Sequence, residues 1–356
     1  RGGSGADIMD GGEGDDQLFG DQDDDTILGG LGVDTINGGI GADRIRGGEG
    51  NDVITGGEGS DNLQGDGGDD LFIQSPGDIG FNHVFDGDGF LLGQGGIDTV
   101  TYASALSGIN VDLGNTVIKP VVPGNPVPDV FRFIENLVGS SHNDIMRNTS
   151  ITASDNVMDG GLGNDVMTGG NGDDNYVVNA AGDVVTEVAG QGTDRVQSAV
   201  AYTLATRPDI ENLTLTGAAN TNGTGNGSIN ILIGNDGANI LKGNAGADML
   251  TGELGADQFS YAVLSDSPVG AGVRDQILDF DSGNDKINLN AMDANLAVAG
   301  NQNFAFIGTA AFTAPGQVRY AGGLLEANVG GANGKAAGLQ IELVNAPALI
   351  VSDLIL

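Results

Sequence analysis

The chain holds 356 residues, 49 of them acidic against 13 basic, with a formal net charge of −36, 64 glycines, no cysteine, no tryptophan and 5% aromatic residues. That acidity excludes nucleic acid and anionic membrane surfaces as partners, and the lack of cysteine excludes a disulfide framework. No apolar run reaches transmembrane length, so membrane insertion is not expected, and the length suits either two or three globular domains or one long solenoid.

Residues 2–73 choose the solenoid. They read as eight uninterrupted nonapeptides, GGSGADIMD, GGEGDDQLF, GDQDDDTIL, GGLGVDTIN, GGIGADRIR, GGEGNDVIT, GGEGSDNLQ and GDGGDDLFI. Every sixth position is aspartate: Asp7, Asp16, Asp25, Asp34, Asp43, Asp52, Asp61 and Asp70. Every eighth position is a large apolar residue: Met9, Leu18, Ile27, Ile36, Ile45, Ile54, Leu63 and Phe72. Glycines at positions one, two and four let the backbone turn through positive φ and bring carbonyls together. Positions seven to nine then predict a three-residue strand whose middle side chain points inward, while neighbours such as Gln17, Arg44 and Arg46 face water. One inward apolar residue in nine is a thin core, and it cannot offset the conformational entropy of ordering the other eight. A further stabilising element is required.

Turn carbonyls and aspartates supply the oxygen ligands that calcium takes, without sulfur or imidazole. If two nonapeptides make one coil, turns eighteen residues apart stack, pairing Asp7 with Asp25, Asp16 with Asp34, and onward to Asp52 with Asp70. Eight repeats then give about six shared sites. Residues 1–73 carry fifteen Asp, three Glu and three Arg, net −15, a charge that such ions would nearly cancel. A flexible acidic linker has no reason to hold an apolar residue at position eight through eight repeats. An EF-hand, suggested by Asp21, Asp23 and Asp25, fails where Thr26 and Gly32 replace its glycine and terminal glutamate. The pattern GGxGxDxUx, with U a large apolar residue, resembles the calcium-binding nonapeptide of RTX proteins. The resemblance implies an all-β fold, a parallel β-roll, and multiple Ca2+ ions as the cofactor.

Beyond residue 73 the phase is lost, and 74–138 reads as an intervening β segment with one nonapeptide-like unit at 93–101 and a proline-rich, exposed loop beginning at Lys119. Repeats return in a second block, 139–177, placing Asp144, Asn156, Asp165 and Asp174 at position six. Residues 178–216 form another intervening β segment, with Asp194 in an apparent unit. A third block spans 217–260, its nonapeptides running over 225–260 with Asn230, Asn239, Asp248 and Asp257 at position six. Asparagine offers a neutral oxygen, so the first half of this block should bind calcium weakly or not at all. The metal ligands expected are therefore the eight aspartates of residues 2–73 together with Asp144, Asp165, Asp174, Asp248 and Asp257.

Residues 261–356 resemble the C-terminal cap of serralysin-type metalloproteases and other proteins exported by type I systems. The matching positions include Asp266, Ser267, Asp275, Asp279, Phe280, Gly283, Asp285, Ile287, Leu289, Phe306, Gly308, Phe312, Gln317, Arg319 and Tyr320. A solenoid needs such a cap to cover its last apolar cross-section and strand edges. Where the family has an acidic turn, this chain has NVGGANGKAAG at 328–338, and no calcium site is expected there. Asp353, Leu354, Ile355 and Leu356 look like an uncleaved secretion signal, with an ordinary terminal strand as the alternative.

No HExxH zinc motif occurs, and His83 and His142 stand alone as ordinary core or surface histidines. No Gly-x-Ser-x-Gly elbow accompanies them, so no catalytic residue is expected within the chain. Position three (Ser4, Glu13, Gln22, Leu31, Ile40, Glu49, Glu58, Gly67) lacks the threonine ladder of an ice-binding face. Since the chain opens at the edge of a repeat array, it reads as the non-catalytic C-terminal part of a larger secreted bacterial protein. Its upstream partner would be a protease, lipase or polysaccharide-modifying enzyme, and its C-terminus would engage type I secretion machinery. The alternative is a structural cell-surface, S-layer, matrix or adhesin protein, which would bring self-association or cell-surface polysaccharide as partners.

Overall fold

The computed structural model describes residues 1–75, 83–87, 96–114, 129–150, 154–330 and 336–356. The proline-rich loop at 119–128 and residues 331–335 of the 328–338 turn lie outside them, as do the first three residues of the units at 93–101 and 151–159. The described elements are strands apart from two short 3-10 turns, so the all-β expectation is met. No helix among these residues is long and apolar enough to cross a membrane. The chain divides into two compact units, Arg1–Gly192 and Thr193–Leu356.

In the first unit the chain winds as a parallel β-solenoid. Strands Ile8–Glu13, Thr26–Leu31, Arg44–Glu49 and Asn62–Gly67 pair in parallel on one side, with Met9 opposite Ile27, Ile27 opposite Ile45 and Ile45 opposite Leu63. Strands Gln17–Gln22, Thr35–Ile40, Val53–Glu58 and Leu71–Ile73 do the same on the other. Each partner lies eighteen residues on, two nonapeptides per coil, as the spacing predicts. From Ile27 to Phe72 the position-eight side chains are at most 1% exposed. They form a column one side chain wide.

The strands from Ile8–Glu13 to Asn62–Gly67 run six residues, not the three predicted, and only Leu71–Ile73 keeps three. The ladder continues through the turn, with Gly12 opposite Gly30 and Glu13 opposite Leu31. Successive turns have the same shape, with positions two and four at positive φ (Gly30 at 120°, Gly39 at 111°), so identical turns stack as if they were strand. Where aspartate replaces glycine at these positions, Asp21, Asp23 and Asp66 take φ of 76°, 72° and 72°, a region aspartate tolerates better than most residues. Unlike neighbours break the effect. Val157–Asp159 and Val166–Thr168 in the second block have three residues each, and their neighbouring turns differ in sequence.

The described residues of 74–138 continue the roll. Val84–Asp86 pairs with Asn62–Gly67 and then with Val130–Arg132, and Thr99–Thr101 pairs with both Leu71–Ile73 and Asn136–Val138. Phe85 and Phe131 continue the inner column as a stacked pair at 5.5 Å. A third sheet, Asn110–Asp112, Ile145–Arg147, Val166–Thr168 and Val184–Val185, takes over beyond residue 109.

The second unit repeats the design. Arg195–Ser198, Asn212–Leu215, Ile231–Ile233, Met249–Thr251 and Asp275–Ile277 form one parallel ladder. Tyr202–Thr203, Asn222–Thr224, Ile240–Lys242, Gln258–Ser260 and Lys286–Asn288 form the other. The parallel order ends at Leu339–Leu343, which joins Asp275–Ile277 on one edge and the antiparallel hairpin Gln317–Ala321 and Leu324–Asn328 on the other. Leu354–Ile355 pairs with Lys286–Asn288, and Asp353 is fully buried, accepting from Gly283 N–H at 2.9 Å and Ser282 Oγ–H at 2.7 Å. The alternative expectation, a terminal strand, describes the conformation of this segment.

Candidate metal centre

The position-six side chains form ladders of their own. From Asp25 to Asp70 each position-six aspartate of the first block turns one oxygen, Oδ1, back to accept the backbone N–H of the position-six residue one coil earlier. Asp25 accepts from Asp7 at 2.7 Å, Asp34 from Asp16, Asp43 from Asp25 and Asp52 from Asp34 at 2.8 Å, Asp61 from Asp43 at 2.9 Å, and Asp70 from Asp52 at 2.8 Å. The predicted pairs of aspartates are thus adjacent rungs.

The second oxygen is different. Oδ2 of Asp7, Asp16, Asp25, Asp34, Asp43, Asp52, Asp70, Asp165, Asp248 and Asp257 is buried and has no hydrogen-bond donor among the described residues. An orphaned buried carboxylate oxygen is costly, and here the cost recurs from coil to coil through the first block. Backbone oxygens converge on the same places. A Cβ added at Gly38 would run into both Asp43 Oδ2 and the carbonyl of Gly56, and one at Gly29 into Asp34 Oδ2 and the carbonyl of Gly47. Position one must therefore be glycine for a carboxylate and a carbonyl from successive coils to face one point. A set of oxygens with no proton among them fits a hard divalent cation. The aspartates would hold the ion and the position-one carbonyls would complete its shell.

Electrostatics agrees. Burial, with neighbouring carboxylates adding to it, pushes the carboxyls up to about 6 at Asp43, Asp52 and Asp257, about 7 at Asp165 and Asp248, and about 8 at Asp70. Asp34 is raised for the same reasons. Since the folded values lie above the unfolded one of 3.8, the metal-free folded chain binds more protons than the unfolded chain. The contribution of these carboxyls to the stability of the metal-free fold is greatest below about pH 4 and is lost as pH rises through about 6 to 8. Ca2+ requires the ionised form and gains where protonation fails. In chelator, the β signal in circular dichroism is expected to be stronger at about pH 5 than at pH 8, and the calcium midpoint should fall as pH rises over that range. A midpoint independent of pH would contradict this assignment.

The remaining expected ligands divide. Asp165 takes the Asp144 N–H at 2.8 Å, Asp174 the Asn156 N–H at 2.7 Å, Asp248 the Asn230 N–H and Asp257 the Asn239 N–H at 2.8 Å, all in the geometry of the first block. Asp144 departs from it. Its Oδ1 accepts from Ile109 N–H and Ser140 Oγ–H, and its Oδ2 from Ser140 N–H at 2.6 Å, so both oxygens are satisfied within the protein. Asp61 Oδ2 faces the buried His83 Nδ1 at 3.4 Å, and His83 itself occupies the rung after Asp61, its N–H donating to Asp129. His142 is on the surface.

Other rungs lie outside the repeat blocks, Asp98 in the nonapeptide-like unit at 93–101, Glu135 and Glu211 without a nonapeptide. Asp98 accepts from Asp70 N–H, Glu135 from Asp98 N–H, Asp183 from Asp165 N–H, and Glu211 from Asp194 N–H. Asp275 and Asp285, expected as parts of the cap, accept from Asp248 and Asp257. A signal did exist for two of them. Glu135-Asn136-Leu137 and Glu211-Asn212-Leu213 are the same tripeptide, an acid followed by a strand whose second residue is buried.

Among known families, the RTX calcium-binding nonapeptide repeat matches in four copies, over residues 1–36, 37–72, 151–185 and 224–259. No curated protein matches the chain. The copies fall on coils whose position-six side chains line the ladders. The chain carries RTX calcium-binding nonapeptide repeats, which imply a calcium-binding β-roll.

Proposed function

We propose that this chain is a secreted bacterial module which stays unfolded in calcium-poor cytosol, passes a type I export channel, and folds outside on binding calcium. It escorts and stabilises an upstream enzyme of the protease, lipase or polysaccharide-modifying kind, and carries no catalytic residues of its own. The observation that supports this reading is the row of buried Oδ2 atoms without a hydrogen-bond donor from Asp7 to Asp52 and at Asp70. Without a cation those carboxylates repel each other, so metal binding contributes directly to folding free energy. Extracellular calcium modules bind at about 10⁻⁴–10⁻³ M, which places the transition between cytosolic and external concentrations. Circular dichroism of the full chain is expected to show little β structure from residues 2–73 in chelator and a cooperative gain in millimolar calcium. Equal β content in both would end the proposal.

A further inference from the structure

Not every turn of the roll has an orphaned oxygen. Asn230 and Asn239, 0% and 1% exposed, occupy position six in the second unit, and their side chains are satisfied on both ends. Asn230 Oδ1 accepts the Asn226 N–H of its own turn at 2.8 Å, and its Nδ2 donates to the carbonyl of Glu211, one coil earlier, at 3.0 Å. Asn239 repeats this with the Asn235 N–H at 2.8 Å and the carbonyl of Thr221 at 2.8 Å.

The second position of each turn is also asparagine, and it completes the network. Asn226 Nδ2 donates to the carbonyls of Arg207 and Ile210, and its Oδ1 accepts from Ser228 N–H. Asn235 Nδ2 donates to the carbonyl of Thr216, its Oδ1 accepting from Gly237 N–H. In an aspartate turn two sets of oxygens face each other and require a cation. In these turns an NH2 group stands between the oxygens instead, donating protons to the carbonyl of the coil before. The next turn is mixed. Asn244 Nδ2 donates to the carbonyl of Gly225, while Asp248 Oδ2 is among the orphans.

We propose that the turns closed by Asn230 and Asn239 need no metal, the carboxamide taking the structural place of the ion. Strands Asn222–Thr224, Ile231–Ile233 and Ile240–Lys242 then form a calcium-independent segment of the second unit. This rests on the reading of the aspartate turns as calcium-folded. It adds a distinction inside the roll: a pre-formed segment against which calcium-dependent coils can order, which lowers the nucleation cost of the next coil.

Residue-resolved amide hydrogen exchange on the full chain tests it. In chelator, the amides of Asn226, Asn235, Ile231–Ile233 and Ile240–Lys242 are expected to stay protected while those of Asp25, Asp34 and Asp43 exchange freely. In the N230D/N239D variant, protection at 225–242 should fall by about tenfold or more in chelator and return in millimolar calcium, because each new carboxylate recreates the aspartate turn. The proposal is overturned if the wild-type asparagine turns exchange in chelator as fast as the aspartate turns, or if the double variant keeps its protection there. Protection of Asp25, Asp34 and Asp43 in chelator would count against calcium-driven folding, with the double variant still deciding the asparagine turns.

Discussion

Asp34→Ala is expected to raise the calcium midpoint for folding of residues 2–73 by about tenfold, and Asp7→Ala by several-fold less. Asp34 sits between two rungs. Its Oδ1 takes the Asp16 N–H and its own N–H goes to Asp52 Oδ1, so it touches the turns before and after. Asp7 begins the column and is bonded only forward, its N–H to Asp25. Removing Asp34 would therefore take a ligand from two stacked sites and strand the part-buried Asp16 amide, whereas removing Asp7 weakens one. Calcium titrations followed by far-ultraviolet circular dichroism measure both shifts. Equal midpoints for the two variants would reject eighteen-residue sharing of ions.

A larger effect is expected from a single methyl group. Gly38→Ala would place a Cβ against Asp43 Oδ2 and the carbonyl of Gly56, the two oxygens proposed to hold the ion. Neither can retreat, since Asp43 Oδ1 is held on the Asp25 N–H and Gly56 lies in the strand Val53–Glu58. Overpacking of this kind costs about 1–3 kcal/mol, which corresponds to about five- to 150-fold in the calcium midpoint. Gly227→Ala is the control, because no atom lies within 4 Å of its Cβ position. If calcium folds Gly38→Ala as readily as it folds Gly227→Ala, the ion does not sit where position one meets position six.

The strict blocks were legible because two signals ran in phase. An aspartate at position six and an apolar residue at position eight specified the coil length, the inner column and the ligand rows of residues 2–73. The roll between blocks was hidden for a physical reason. Asp98 and Glu135 are consecutive rungs 37 residues apart, and His83 and Asp129 are 46 apart, so no fixed period survives, though the strand triplets still stack. The six-residue strands were also not visible, since pairing through a glycine turn depends on the neighbouring coil having the same turn. Asn230 and Asn239 were read as weak ligands from their charge alone. Their donor groups matter as much as their missing charge, and donor direction is a property of the fold.

The spacing between rungs has a consequence for what the chain can carry. Thr35 pairs with Val53 eighteen residues on, yet Thr99 pairs with Asn136, and both rungs present the same three-residue ladder. Coil height is set by the hydrogen-bonded step of about 4.8 Å, not by how much chain is spent between strands. Turns beyond the strict block can therefore lengthen, vary and be replaced without disturbing the rungs, while the triplets cannot shift by one residue without turning Phe85, Val100 or Leu137 out of the core. Outside the nonapeptide turns, evolution, or a designer grafting a recognition loop, has free sequence in the connections between strands and almost none at the rungs.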